Sequence, residues 1–589
     1  MFAATYNVKV TLAILRGDAE FVDDAFGRRY VARRLFCSLG ATGGHVFWIT
    51  RPSNRDYFMH ALNFNVAYPS ARSPVFGRDA IATSHPLASQ AGMAMLMRGG
   101  NAVDAAIAAA MALTVVEPTG CGIGSDAFAI VWDGSELHGL NSSGRSPAAW
   151  TPDRFSGRDA MPSLGWEAVT VPGAVAGWVA LARRFGRLPL TEIAAPAIRY
   201  AREGFAVTPI IATLWARAAE TLGGQPGFAE CFLPHGRAPR AGEIFRSEGH
   251  ARTLESIAET AGESFYRGEL ARAIVANAQR LGGAMTLEDL AAHSADWVGT
   301  LSRAFSGAVV HELPPNGQGI GTLIGLGILE AIGLGEHEVD DPATVHLAIE
   351  ATKLAMVDLD EYLADPKAMK IAASRLLDDA YLARRAALID PAHAGDPGHG
   401  TPARGGTVCL SAADRDGMMI SFIQSNYMGF GSGVVVPGAG ISLQNRGAGF
   451  NLRPGHANEV GPRKRPFHTI IPGFMTNPDG TPLMAFGLMG GPMQAQGHLQ
   501  LALRILAYRQ NPQAAADAPR WRILSGRRVA VEPGTNPNLI EALKALGHEI
   551  IVERPEALFA FGGAQIVMRN ADGYVCGSDP RKDGQALAW

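Results

Sequence analysis

Two glycines followed by a threonine, Gly405-Gly406-Thr407, form a backbone that its own side chain can attack. The glycines leave the preceding peptide unhindered and able to take backbone angles that other residues avoid, while a β-branched threonine holds its hydroxyl in few χ1 rotamers. The expected step is attack of that hydroxyl on the Gly406 carbonyl. After the N-to-O acyl shift and hydrolysis, Thr407 owns a free α-amine, whose ordinary pKa near ~8 suits a general base at neutral pH. One residue then supplies both nucleophile and base. Acyl transfer also needs donors for a tetrahedral oxyanion, and Gly487-Leu488-Met489-Gly490-Gly491-Pro492 offers two adjacent unobstructed N–H groups at Gly490 and Gly491. Taken singly, Gly-Gly-Thr before a strand and a glycine-rich turn are also what ordinary connecting loops contain.

Other chemistries find little support. There is no G-x-S-x-G elbow, no H-E-x-x-H helix, and no G-x-G-x-x-G after a strand. The five cysteines lie far apart without a C-x-x-C pair, so no zinc or redox site is expected, and an odd, sparse set fits a reducing compartment. A net charge of -3 gives no reason to propose nucleic acid or an anionic membrane as partner. Val8 to Leu15 is a poor secretory core, being interrupted by Lys9, and no segment has the uninterrupted apolar length of a membrane span. The expectation is a cytoplasmic enzyme with a small-molecule substrate and neither metal nor organic cofactor.

The elements that must hold this chemistry show in the periodicity. Leu87 to Arg98 reads as a helix stopped by Gly99-Gly100, and a second begins near Asp104 in DAAIAAAMALTVV, small-residue-rich on all sides and so expected between layers. From Val171-Pro172-Gly173 to about residue 390 the patterns are mostly helical, as in Thr344 to Leu363. The period then changes. Thr407 to Ala413 and Met418 to Ser425 form strand-like runs around the turn Asp414 to Gly417, and Ala564 to Arg569 and Tyr574 to Gly577 repeat the arrangement around Asn570 to Gly573. Helices first and hairpins later suggest an α/β fold of sheets covered by helices. Residues 1–58 lack sustained periodicity and are expected to be a poorly ordered extension or an over-long start ahead of Met59.

From about Phe76 onward the chain resembles the gamma-glutamyltransferase family of N-terminal-nucleophile hydrolases. The matching pieces run in the family's order. They include SHPLASQAG, GGNAVDAA, VVEPTGCGIG, VPGAVAGW and PPNGQG, then TVCLSAADRDG from Thr407, FGSGVVVPGAGISLQN, KRP, Gly490-Gly491 and SDPR. The resemblance implies a four-layer αββα fold, cut between Gly406 and Thr407 into a large chain, 59–406, and a small catalytic chain, 407–589. These stay associated as a heterodimer, which can pair again into a dimer of heterodimers. Thr407 becomes the nucleophile, Gly490 and Gly491 the oxyanion donors, and Ser425 stands where the family often has a threonine bonded to the nucleophile. Val408-Cys409 follows Thr407 where relatives often have Thr-His. Cys409 is a rival nucleophile by chemistry and a buried small hydrophobe by position.

The departures fall on substrate recognition. Gamma-glutamyl enzymes hold the donor's α-carboxylate with an arginine, and the corresponding position here is Ser143. The carboxylate for the α-amine falls near Gly449, and the usual paired serines become His468 and Thr469. Arg145 and Arg446 lie close by in sequence, each either a replacement anion partner or a solvated loop arginine. The expected reaction is hydrolysis or transfer of a γ-glutamyl-like short acyl group from an amide through an acyl-threonine. Cephalosporin-acylase-like or oxamate-amidohydrolase-like activity is the first alternative. An unprocessed, non-catalytic binding protein is the second, against which the intact Gly-Thr and Gly-Gly elements argue.

Overall fold

The structure, a computed structural model, describes residues 72–397 and 406–589 together with three strands upstream. Those strands, Glu20–Asp23, Arg29–Phe36 and Val46–Pro52, pair antiparallel in that order within a unit of their own, Met1–Pro69. The rest of the expected 1–58 extension, and Met59, lie outside the described residues.

The second unit is built on two antiparallel sheets of seven strands. The first runs, edge to edge, Asp296–Val298, Leu137–Ser142, Asp126–Trp132, Met419–Tyr427, Gly406–Ala413, Ala80–Thr83 and Gln585–Ala588. The second runs Leu301–Phe305, Ala308–Glu312, Pro472–Thr476, Pro482–Leu488, Ala564–Asn570, Gly573–Ser578 and Val75–Gly77. Period-2 alternation assigns the faces. Along Gly406–Ala413, Val408, Leu410 and Ala412 join a core shared with the helix Ala102–Val116. Cys409 and Ala413 point the other way, into a thinner core with Phe474, Ala485 and Val567 of the second sheet. On that sheet's outer side, Met484, Phe486 and Ile566 meet the helices Gly319–Ile332, Pro342–Tyr362 and Met493–Ala502. The layers are therefore helix, sheet, sheet, helix.

Local chemistry explains the helix starts. Asn101 and Asp104 form a reciprocal capping box at the head of Ala102–Val116, a helix buried along its whole length because alanines let both neighbours approach. The preceding helix is Pro86–Met97, with His85 Nδ1 accepting the Leu87 N–H at 3.2 Å and proline at the first helical position. Both expected hairpins form. The middle stretch differs from its helical reading in holding a two-stranded pair, Phe205–Ala206 with Ile244–Phe245, and three further strands, Asp296–Val298, Leu301–Phe305 and Ala308–Glu312, which line one end of both sheets. Runs of three to five residues are too short to give a periodic signal between helices. Among the described residues no helix is long and apolar enough to cross a membrane.

Candidate active site

Thr407 sits at a break in strand register. Gly406 pairs with Tyr427 and Val408 with Gln424, so the single residue Thr407 opposes two, Ser425 and Asn426, across a β-bulge. Bulges of this kind re-aim a side chain beside an active site. The buried Thr407 hydroxyl donates to Ser425 Oγ at 3.2 Å, and Gln494 Nε2 reaches Thr407 Oγ1 at 3.4 Å. Ser425 Oγ also accepts the Tyr427 N–H at 2.7 Å. Tyr427 itself has φ +80, a conformation that costs a bulky side chain energy and is retained mainly at functional positions. Gln494 is fixed from its other end, where Oε1 accepts the Ile471 N–H at 2.9 Å.

The glycine pair follows the strand Pro482–Leu488. Gly490 and Gly491 have φ +118 and +62, angles that explain the residue type. Among the described residues neither N–H donates a hydrogen bond. The turn is pinned by Gln318, whose Nε2 donates to Gly491 O at 2.9 Å and Thr469 O at 2.5 Å. Thr407 and Gly490 line one cavity of about 530 Å³, whose wall includes Leu164, Leu214, Phe430 and Phe559 as well as Glu117 and Lys582.

The expected recognition residues separate into groups. Ser143 is buried in an amide network, donating to Asn141 Oδ1 at 2.8 Å. Arg145 pairs with Asp296 at 3.5 Å on a partly exposed face and lines neither this cavity nor the one beside Tyr427. Gly449 lines that second cavity, of about 430 Å³, and a Cβ there would sit 2.5 Å from Phe467 O, so the backbone leaves no room for a carboxylate side chain. Arg446, His468 and Thr469 do come together. Arg446 Nη1 donates to Thr469 Oγ1 at 2.8 Å and its guanidinium lies 4.7 Å from the Tyr427 ring centroid. Among the described residues its Nε and Nη2 are buried without hydrogen-bond partners. His468 Nδ1 accepts the Ile470 N–H, which leaves Nε2–H to donate to Asp126 Oδ2 at 3.2 Å. Burial holds His468 neutral, well below the usual imidazole range, pushes Asp126 up to about 7, and pushes Arg446 down to about 10.

Sequence reading did not single out Gln494, Gln318, Tyr427, Glu117 or Lys582. Gln318 and Glu117 lie inside quoted motifs and Lys582 directly after one, but only the fold brings Gln318 to the glycine turn and Glu117 and Lys582 to the Thr407 cavity. Cys409 is fully buried between the sheets, and burial pushes its thiol well above the usual range, which disfavours a thiolate. Among the described residues, His346, Glu350 and His548 cluster closely enough for a metal, yet Lys353 Nζ already lies 2.7 Å from Glu350 as its counter-ion.

A family model described as gamma-glutamyltranspeptidase matches residues 88–589. A glutathione hydrolase-like proenzyme of Bacillus subtilis is 36% identical, over 88% of this chain and 99% of its own. An oxamate amidohydrolase proenzyme of Klebsiella pneumoniae is 37% identical, over 86% and 97% respectively. The crystal structure of a cephalosporin acylase from Bacillus halodurans superposes with a TM-score of 0.86 at 48% identity, covering 90% of this chain and 99% of that one. With its two stacked sheets between helical layers, the chain belongs to the gamma-glutamyltranspeptidase family, enzymes of the N-terminal-nucleophile hydrolase fold.

Proposed function

We propose that the chain cuts itself between Gly406 and Thr407 and then works as an N-terminal-threonine amidohydrolase on amides whose acyl group lacks an amino acid's paired charges. The observation that carries the reading is the Thr407 hydroxyl, 3.2 Å from Ser425 Oγ, at the head of a strand and in the wall of the cavity that holds Gly490. In turnover Thr407 Oγ attacks the amide carbonyl while its proton passes to the α-amine. The Gly490 and Gly491 N–H groups receive the oxyanion. The leaving amine takes the proton as the C–N bond breaks, and water or an acceptor amine releases the acyl ester, giving ping-pong kinetics.

The substrate class follows from the recognition positions. A γ-glutamyl head carries an ammonium and a carboxylate, and burying both needs paired charges. Gly449 brings no carboxylate, Ser143 brings no cation, and Asp126 is occupied by His468 and backbone N–H groups. Arg446, which like Arg145 lines neither cavity but is a buried cation over the Tyr427 ring, is the candidate partner for an acyl group with a single negative charge, and relatives named oxamate amidohydrolase and cephalosporin acylase are consistent with such a preference. The test is a panel of glutaryl, oxamoyl and γ-glutamyl amides assayed beside a denaturing gel. An enzyme active as one uncut chain, or one that prefers the γ-glutamyl compound, overturns this reading.

A further inference from the structure

Glu117 stands where physical chemistry disfavours a carboxylate. It caps the C-terminus of the helix Ala102–Val116, the negative end of the helix dipole, and is 1% exposed. Its Oε2 accepts the Ser84 hydroxyl at 2.5 Å. Among the described residues its Oε1 has no hydrogen-bond partner, and the Lys582 ammonium lies 3.7 Å from it. A residue that breaks both the burial rule and the dipole rule marks function more often than folding.

Its place gives that function a direction. Glu117 and Lys582 line the same cavity as Thr407 and Gly490. A Cβ at Gly120 would lie 3.2 Å from the Thr407 carbonyl oxygen and 3.4 Å from Glu117 Oε1, so the carboxylate and the nucleophile's own backbone flank the same glycine. Lys582 lines the cavity beside Glu117. Its stem lies over Gly563, whose carbonyl accepts the Met489 N–H at 3.2 Å, one residue before Gly490. The ion pair therefore shares its cavity with both the nucleophile and the glycine turn.

We propose that Glu117 is a positioning residue that stabilises the ammonium formed on Thr407 whenever its α-amine takes up the hydroxyl proton, with Lys582 keeping Glu117 ionised. The proposal rests on Thr407 being the nucleophile. As the Thr407 Oγ–C bond forms, the hydroxyl proton moves to the α-amine, and as the C–N bond breaks it moves on to the leaving nitrogen. Glu117 stays an anion throughout and gains no proton. Burial pushes its carboxyl up to about 7, against Lys582 and the Ser84 bond, so a nearby cation decides whether it is charged at neutral pH. The other ionisable groups around it are Asp583, Cys121 and, on the helix Pro209–Leu222, Arg217.

The test is the pH profile of kcat/KM for the processed enzyme on a glutaryl anilide. A carboxylate raises the pKa of a neighbouring amine. Glu117→Gln should therefore move the acid limb down by about one pH unit. It should also cut kcat by roughly 10–100-fold, up to the loss of one oxyanion donor, with little change in KM. Lys582→Met should move the same limb down as well, because Glu117 then loses the cation that keeps it ionised. A pair that only supports the fold lowers kcat without moving a limb. Limbs that stay put in both variants, or a limb that moves up in either, overturn the proposal. Should Glu117→Gln remain uncut, Lys582→Met decides alone: a downward limb supports it and an unmoved or upward limb overturns it. A Thr407→Ala protein that still turns over removes the nucleophile reading itself, a result distinct from any shift of the limb.

Discussion

The hydroxyls of Thr407 and Ser425 lie 3.2 Å apart across the bulge between their strands. Thr407→Ala should block both self-cleavage and turnover, since each needs that oxygen, while Thr407→Ser retains part of both. Ser425→Ala removes one orienting bond of about 1 kcal/mol and should slow both steps about fivefold. Dividing 62.2 kDa at residue 406 gives fragments of about 43 and 19 kDa on a denaturing gel, the smaller beginning with Thr407 by mass analysis.

Cys409 shares the Thr407 strand, but its thiol packs so closely on Gly487 that a Cβ there would collide with Sγ. Cys409→Ala should leave kcat nearly unchanged and cost about 1 kcal/mol of stability from the small cavity created. A chemical denaturation curve beside a rate assay checks both. Loss of activity in a folded Cys409→Ala protein would identify the cysteine as the nucleophile instead.

Arg446 and Arg145 should part company. A glutaryl anilide should have a higher kcat/KM than the γ-glutamyl anilide, because a zwitterion forfeits two charge-assisted contacts of about 1.5–3 kcal/mol each, one to several powers of ten in rate. Arg446→Gln should reduce that difference by about tenfold. Arg145→Ala, which removes only a partly exposed ion pair with Asp296, should leave the ratio as it is. Equal effects of the two variants would refute the assignment.

Asp126 gives stability a pH dependence of known sign. Its carboxyl is raised from 3.8 to about 7 by burial, so the folded protein holds a proton that the unfolded chain releases. The contribution is full below about pH 4 and is lost as pH rises through about 7. Asp126→Asn should therefore flatten this part of a plot of urea midpoint against pH, and an unchanged slope would show that Asp126 is ionised in the folded state.

Much of this was legible in the sequence, for identifiable reasons. The hairpins at 406–427 and 564–578 announce themselves because polar turns with glycine separate strand-like runs, and both form. The buried helix at 102–116 is visible as an unbroken run of small apolar residues. The edge strands at 296–312 were hidden because three to five residues carry no period. In the site, backbone-driven features such as Gly490-Gly491 can be read from residue type. Contacts such as Gln494 with Thr407, or Lys582 with Glu117, join side chains far apart in sequence and exist only after the sheets assemble.

The interleaving of strands has a consequence for the lifetime of the molecule. Ala80–Thr83 lies between Gly406–Ala413 and Gln585–Ala588, and Val75–Gly77 completes the second sheet beside Gly573–Ser578, so the proposed cut after Gly406 divides both sheets between two pieces. Once the Gly406–Thr407 bond is broken, neither piece holds a whole sheet, and the instructions for folding are divided between two molecules. Unfolding then releases partners that must find each other again by diffusion, so the return path becomes concentration-dependent and competes with aggregation. Persistence of the mature enzyme is therefore governed by how slowly the sheets first come apart, a rate and not an equilibrium.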